Sequence, residues 1–349
     1  MNNELFTYSA NDLGDLMESW GQPKFRGKQI HEWLHRHHVT SYDQMTNIPA
    51  TLRYKLSQEF PSHDIEIAHK ALSCDGSRKY LVRLSDGCLV ETVGLPELGA
   101  GTDKGRLSVC VSSQVGCPME CAFCATGREG LTRNLTAQEI VQQAVAVQHD
   151  FGRRVSNVVV MGQGEPFLNY DEVIKALRIL NSKEDLNIGA RHITLSTCGI
   201  IEGINKLSDE PEQFTLAVSL HSAIPLTRDA LMPRVSSQPL DSLKEALSIY
   251  NKKTGRRVSL EYLLLKDVND DEAHLEALIN FCRGLLCHVN LLPMNAVEGA
   301  TLQPSTSRTM KQWLDRLNRE GIETTARVSR GSDIDGACGQ LKNSTLDHQ

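Results

Sequence analysis

Residues Leu107 to Cys124 read LSVCVSSQVGCPMECAFC, an alternating apolar run that leads into three cysteines spaced C-x3-C-x2-C. The first half has the Val and Cys content of a buried strand. The second half gathers Cys117, Cys121 and Cys124 with no fourth cysteine close behind. A structural zinc site closes its tetrahedron with four protein ligands, so three thiolates point to a metal centre with one position left open. A strand that empties into such a loop also says where the site lies, at the strand's C-terminal end.

Working outward from that strand, further apolar β-branched runs occur at VSNVVVMG, HITLST, FTLAVSLH, VSLEYLLL and HVNLLPMN, with TTARVSR near the end. Helical patterns separate them. One starts at Thr136, with Glu139 three residues on in the pattern of a capping box. Others carry Leu240, Leu243, Leu247 and Tyr250, and then Met310, Trp313, Leu314 and Leu317, at helical spacing. Six strand–helix units predict an α/β fold, a partial (β/α)6 barrel of the TIM type over residues 101–345. Upstream, residues 1–62 read as a helical domain punctuated by Pro23, Pro49 and Pro61. Residues 63–100 form a β-meander turned at Asp75-Gly76 and Asp86-Gly87, followed by the linker ELGAGTDKG. The last residues, NSTLDHQ, read as a tail.

Composition excludes several classes. With 40% hydrophobic and 23% charged residues in a chain of 349, the protein has the makings of a globular core. No apolar run of membrane-spanning length appears, and the polar, acidic N-terminus is no signal peptide, so a cytoplasmic protein is expected. In a reducing compartment the ten cysteines speak for metal, catalysis or burial. Cys74, Cys88, Cys198, Cys282 and Cys287, which stand alone, read as small core residues. Net charge is −6, yet Gly21 to Phe60 holds six Lys/Arg against three acids, together with His31, His35, His37 and His38. That window is a solvated helix face or a nucleic-acid contact. The histidines have no complementary metal-ligand set near them in sequence.

Polar residues stand at the ends of the barrel strands: Gly162-Gln-Gly-Glu-Pro166, Ser196-Thr-Cys-Gly, Ser219-Leu-His221 and Pro293-Met-Asn295. Each alone is a common turn or cap; together they face one mouth. With C-x3-C-x2-C and Phe123 before its last cysteine, this set resembles the radical S-adenosylmethionine (SAM) enzymes. The strings CVSSQVGCPMECAFCATG, TRNLT, MGQGEPFLN, ITLSTCG, VSLHSA, NLLPMN and GSDIDGACGQL resemble the RlmN/Cfr family of adenosine methyltransferases, from about Phe25 to Leu341.

The resemblance implies a [4Fe–4S] cluster on Cys117, Cys121 and Cys124, with the fourth iron open to SAM. It implies SAM contacts at Gly164, Glu165, Ser196, Ser219, Leu220, His221 and Asn295. It further implies that Cys338 is methylated first and that a radical made from a second SAM activates that methyl group for addition to the adenine ring. Glu91 would then remove the ring proton and Cys110 would release the product by a transient disulfide with Cys338. The alternatives from the residues alone are Cys110 as a buried strand residue and Glu91 as an exposed strand acid. Gln163 and Gly336 depart from the family's usual residues. Pro166 matches the C2-methylating members, whereas the C8-methylating ones carry alanine there. The implied partners are 23S rRNA, tRNA and an electron donor such as flavodoxin or ferredoxin, with no membrane, for a monomeric enzyme. The competing readings are C8 methylation and a non-catalytic RNA-binding protein in which zinc takes the three cysteines.

Overall fold

Ten strands share one sheet in the order β1 (Glu66–Leu72), β2 (Arg78–Arg83), β3 (Leu89–Pro96), β4 (Leu107–Cys110), β7 (Asn157–Val160), β8 (Ile193–Thr197), β9 (Thr215–Ser219), β10 (Val258–Leu264), β11 (Cys287–Pro293) and β12 (Thr324–Ala326). The computed structural model describes residues 5–37, 39, 41–60, 65–97, 105–128, 130–295 and 301–342. His38, Pro61, most of the linker after Glu97 and the NSTLDHQ tail lie outside them.

From β4 to β12 every neighbouring pair is parallel, as the alternation of strand and helix patterns requires. Among the described residues β12 pairs only with β11, so the sheet stays open and the barrel is partial. The meander does not sit apart from it. The turns at Gly76 and Gly87, both at positive φ, fold β1, β2 and β3 into antiparallel neighbours, and β3 then pairs antiparallel with β4. Val93 thereby faces Cys110 in register. A small second sheet pairs β5 (Gln114–Gly116) with β6 (Leu131–Asn134). Its strands are three and four residues long, too short to leave a periodic signal.

The helices return the chain between parallel strands. Helix α4 (Ala137–Phe151) begins at the reciprocal cap of Thr136 and Glu139 and stops at Gly152, at φ 63°. It buries Ile140, Val141, Ala144 and Val147 against the sheet. Helices α5 (Tyr170–Asn181), α6 (Ile201–Ser208), α7 (Pro225–Leu231), α8 (Leu240–Thr254), α9 (Glu272–Cys282) and α10 (Ser307–Arg319) follow. Each fully buried Leu, Ile or Val on these faces contributes about 1.5–3 kcal/mol, so the apolar stripe, not the caps, holds the layer.

The N-terminal helices α1 (Ala10–Ser19), α2 (Phe25–His35) and α3 (Ala50–Glu59) join this packing. A Cβ on Gly27 would meet the Gly14 backbone nitrogen at 2.2 Å, so α1 and α2 cross in close contact only because Gly27 has no side chain. Leu13, Met17, Ile30 and Leu56 belong to the same apolar core as Val158, Leu195 and Leu216 of the sheet. Among the described residues no helix is long and apolar enough to cross a membrane.

After β12 the chain returns to the mouth. Asp333 accepts from Ser73 Oγ at 2.6 Å and the Cys74 amide at 3.0 Å, and the Gly331 amide donates to Asp75 at 3.0 Å. Farther on, Thr126 Oγ1 donates to the Leu341 carbonyl at 2.6 Å and the Lys342 amide to Glu91 Oε2 at 2.9 Å. The loop carrying Cys338 is thus pinned at both ends, first to the meander and then to the cysteine loop and β3.

Candidate functional site

The cysteine loop hangs between β5 and β6. Gly116 sits at φ 77°, and a Cβ there would lie 2.0 Å from the Gly130 carbonyl oxygen, so the loop's two ends touch backbone to backbone. Cys117 and Cys121 are buried and Cys124 half-buried in an apolar wall with Met119, Leu231, Met232, Val235 and Met294. Burial pushes the Cys117 thiol up to about 12, with Cys124 and Cys121 adding to the effect, and raises Cys124 as well. Thiolates in such a wall need a metal to compensate their charge. Among the described residues the only group of three whose ligand atoms all lie within 4.8 Å of one another is elsewhere, so the three sulfurs do not converge on a single ion. A cluster of several irons, whose ligands stand around it, fits this donor set.

Cys198, read as a small core residue, packs half-buried in this same wall. It follows β8, and its neighbour Cys121 together with burial raises its thiol well above the ordinary value. Its amide donates to Glu165 Oε2 at 2.7 Å. The strand end Ser196-Thr-Cys-Gly contains it, but its neighbours come from other strands. Of the other lone cysteines, Cys282 is buried in the main core with Cys287 packed against it, as a core role predicts, whereas Cys74 is exposed.

The strand ends meet this loop. Gly164 lies at φ 104°, and a Cβ on it would come 2.7 Å from both Gln114 Cβ and Ser113 Oγ. Only glycine lets the β7 turn close on the root of the cysteine loop. Glu165 is buried, its amide donates to Gln114 Oε1 at 2.8 Å, and its Oε1 accepts from the Phe167 amide at 3.0 Å. Burial raises its pKa, against the pull of the Cys198 and Phe167 amides. Both oxygens are therefore held by backbone donors, with further lone pairs left for a ligand. Asn169, from the same segment, donates to the Ser113 and Leu135 carbonyls at 2.9 and 2.8 Å and locks the turn to β5.

Ser196 and Ser219 are half-buried near the C-terminal ends of β8 and β9, and Leu220 is fully buried with its amide on the Glu261 carbonyl at 3.0 Å. His221 is no simple strand-end cap. It adopts φ 55°, its Nδ1 accepts from the Leu263 amide at 3.1 Å, and its ring meets Phe123 edge-on at 4.6 Å. Burial first, then Arg228, push it down to about 3. The imidazole is neutral at working pH, with its proton on Nε2. Asn295 Nδ2 donates to the Cys338 carbonyl at 3.1 Å.

Cys338 is exposed, and the next residue's carbonyl accepts from the Ala125 amide at 2.7 Å, beside the cysteine loop. Cys110 is buried against Val93 and Leu341. Burial pushes its thiol up to about 12, and Cys338 is the next cause, so the two free thiols are electrostatic neighbours. Glu91 is fully buried, not an exposed strand acid. Lys79 Nζ approaches its Oε1 to 3.0 Å without hydrogen-bond geometry, and its amide donates to Gln163 Oε1 at 3.1 Å. Gln163 thus ties the turn after β7 to the Glu91 strand. Lys79, itself buried, is a charged partner that strand periodicity alone does not single out.

Open α/β sheet, cysteine loop and polar strand ends define a radical SAM enzyme, and the model of the Radical SAM superfamily matches residues 111–279. Residues 3–61 match the ribosomal RNA large subunit methyltransferase N-terminal domain. The probable dual-specificity RNA methyltransferase RlmN of Clostridium novyi is 41% identical over 343 residues, 98% of each chain. Its counterpart in Synechocystis sp. is 44% identical over 97% of this chain and 95% of its own. A crystal structure of a radical SAM methyltransferase from Sphaerobacter thermophilus superposes with a TM-score of 0.91 at 41% identity, covering 97% of this chain and 99% of that one. The chain belongs to the RlmN family of SAM-dependent RNA methyltransferases, which use a [4Fe–4S] cluster and SAM.

Proposed function

We propose that this enzyme methylates C2 of adenosine in the peptidyl-transferase region of 23S rRNA and in tRNA just 3′ of the anticodon, through a methylated Cys338. The observation that carries this reading is the convergence of three groups from distant parts of the chain: Cys338 on its pinned loop, Cys110 at the end of β4 and Glu91 on β3. The relatives' description as dual-specificity supports two RNA substrates, and Pro166 after Glu165 supports C2 over C8.

Cys117, Cys121 and Cys124 would hold the cluster, which supplies the electron that cleaves SAM. Gly164 and Glu165, with Ser196, Ser219, Leu220, His221 and Asn295, would orient SAM along the strand ends. Cys338 sulfur would take a methyl group from one SAM and hold it at the base, where loss of one hydrogen atom to the radical from a second SAM would let the carbon bond to C2. Glu91 accepts the ring proton at Oε1, the oxygen that makes no hydrogen bond in the fold. The Cys110 thiolate would then attack Cys338 sulfur; the carbon–sulfur bond breaks with its electron pair passing to the adenine side, where a proton completes the methyl group, and the disulfide is left for an external thiol to reduce.

RNA would enter over the N-terminal helices, where Phe25 and Tyr54 are exposed beside Arg26, Lys28 and Lys55. A flavodoxin or ferredoxin as donor, a monomer and a cytoplasmic location complete the proposal. The test is nucleoside mass spectrometry of rRNA and tRNA after reaction with the reconstituted enzyme. 2-Methyladenosine in both is expected; 8-methyladenosine, or no methyladenosine in either RNA, would overturn it.

A further inference from the structure

Away from the mouth, where α2 meets the turn after α5, three ligand-type side chains converge. His31 Nε2 lies 3.3 Å and His35 Nδ1 3.1 Å from Asp185 Oδ1, and the two imidazoles stack at 4.2 Å. The three side chains are at most 8% exposed, and one ligand atom from each lies within 4.8 Å of the other two. Asp185 Oδ1 makes no hydrogen bond. The sequence could not show this group, because its carboxylate arrives from more than a hundred residues away.

We propose that His31, His35 and Asp185 bind a transition-metal dication, zinc by their chemistry, which pins the N-terminal helices to the outer face of the sheet layer. The segment reads His31-Glu-Trp-Leu-His35, and a spacing of four puts both imidazoles on one face of α2. Two imidazoles and a carboxylate are a known zinc donor set; bond lengths near 2.0–2.2 Å place tetrahedral ligands about 3.4 Å apart, close to the separations found here. A cavity of about 460 Å³ opens on the group and leaves room for water as a fourth ligand. With Arg178 paired to Glu210, Asp171 and Glu184 on its wall still outweigh Lys175. A second cleft, of about 600 Å³, also reaches His35 and Asp185 and is lined by Arg36, Arg153 and Arg154, so the first is the less basic approach for a cation. Glu32 is exposed and pairs with Arg36 at 3.2 Å, away from the group, so the peptidase chemistry of an H-E-x-x-H helix is not built. The site is structural.

The site does not depend on the methylation chemistry, and its test reads metal, not turnover. The full chain is reconstituted anaerobically until iron and sulfide are saturated, exposed to zinc, desalted and analysed for elements. One zinc per chain is expected in the parent, with a thermal midpoint raised by zinc. Asp185→Ala should hold less than a tenth as much, while Asp185→Cys, which restores a zinc ligand, should regain it. His31→Gln should lose zinc yet keep the parent circular dichroism. A parent that retains no zinc, or zinc that persists in Asp185→Ala, would overturn the site.

Discussion

Cys338 and Cys110 take opposite parts in the proposed chemistry, and single substitutions separate them. Cys338→Ala should keep its iron but take no methyl group from labelled SAM. Cys110→Ala should be methylated, attack the base and stall as a protein–RNA crosslink visible on a denaturing gel. Crosslinks from the Cys338 variant, or full turnover without Cys110, would reverse the assignment. The environment of Cys110 adds a pH signature. With its thiol at about 12, the thiolate fraction rises roughly tenfold per pH unit below that value. Decay of the crosslink in the parent enzyme should therefore accelerate between pH 7 and 9, and a flat profile would count against Cys110 as the nucleophile. Cys198 alters what cluster-ligand substitutions do. Because it packs in the same apolar wall as Cys121, Cys121→Ala should retain more iron than Cys117→Ala or Cys124→Ala, and adding Cys198→Ala should erase that difference.

At the scale of elements, the turn after β7 and the β2–β3 pair carry the main liabilities. Gly164→Ala places a side chain at φ 104° and drives a Cβ to 2.7 Å from Gln114. The backbone strain alone costs about 1–3 kcal/mol, so the thermal midpoint should fall and SAM affinity with it, measured by melting and equilibrium dialysis. Lys79→Met leaves the Glu91 carboxylate buried without its cation, a loss of about 3–5 kcal/mol that urea unfolding would register. Most elements were legible beforehand because each rests on a local signal: the Thr136 cap, the two Asp-Gly turns, the β-branched runs. The Cys117/Cys121/Cys124 spacing was equally plain. What escaped was decided by long-range pairing. The β5–β6 sheet is too short to have a period, Lys79 looks like any strand lysine, and Asp185 reaches His31 and His35 only in three dimensions.

On the scale of the molecule, the helices at the N-terminus share one apolar core with the sheet. Removing residues 1–95 would strip β1, β2 and most of β3 from β4 and take Glu91 with them, so the truncated chain should unfold more readily as well as fail to methylate. Charge substitutions answer the question of RNA contact more cleanly. Replacing Lys28 and Lys55, both exposed, by glutamate should weaken RNA binding in filter assays and flatten its salt dependence, since each phosphate contact released removes about one unit of slope. Unchanged affinity would make that window a solvated face.

Because β3 pairs with β4, and β4 with β7, the residues proposed as base and resolving thiol belong to the same hydrogen-bonded fabric as the turn that would seat SAM. Their mutual spacing is set like marks on a ruler. The Cys338 loop is fastened at Asp333 and again at Leu341 and Lys342, so its travel is confined to the few residues in between. The methyl group would then move as a bead on a short bridge between two fixed posts: close enough to the sheet to be loaded, and never far enough from it to be lost.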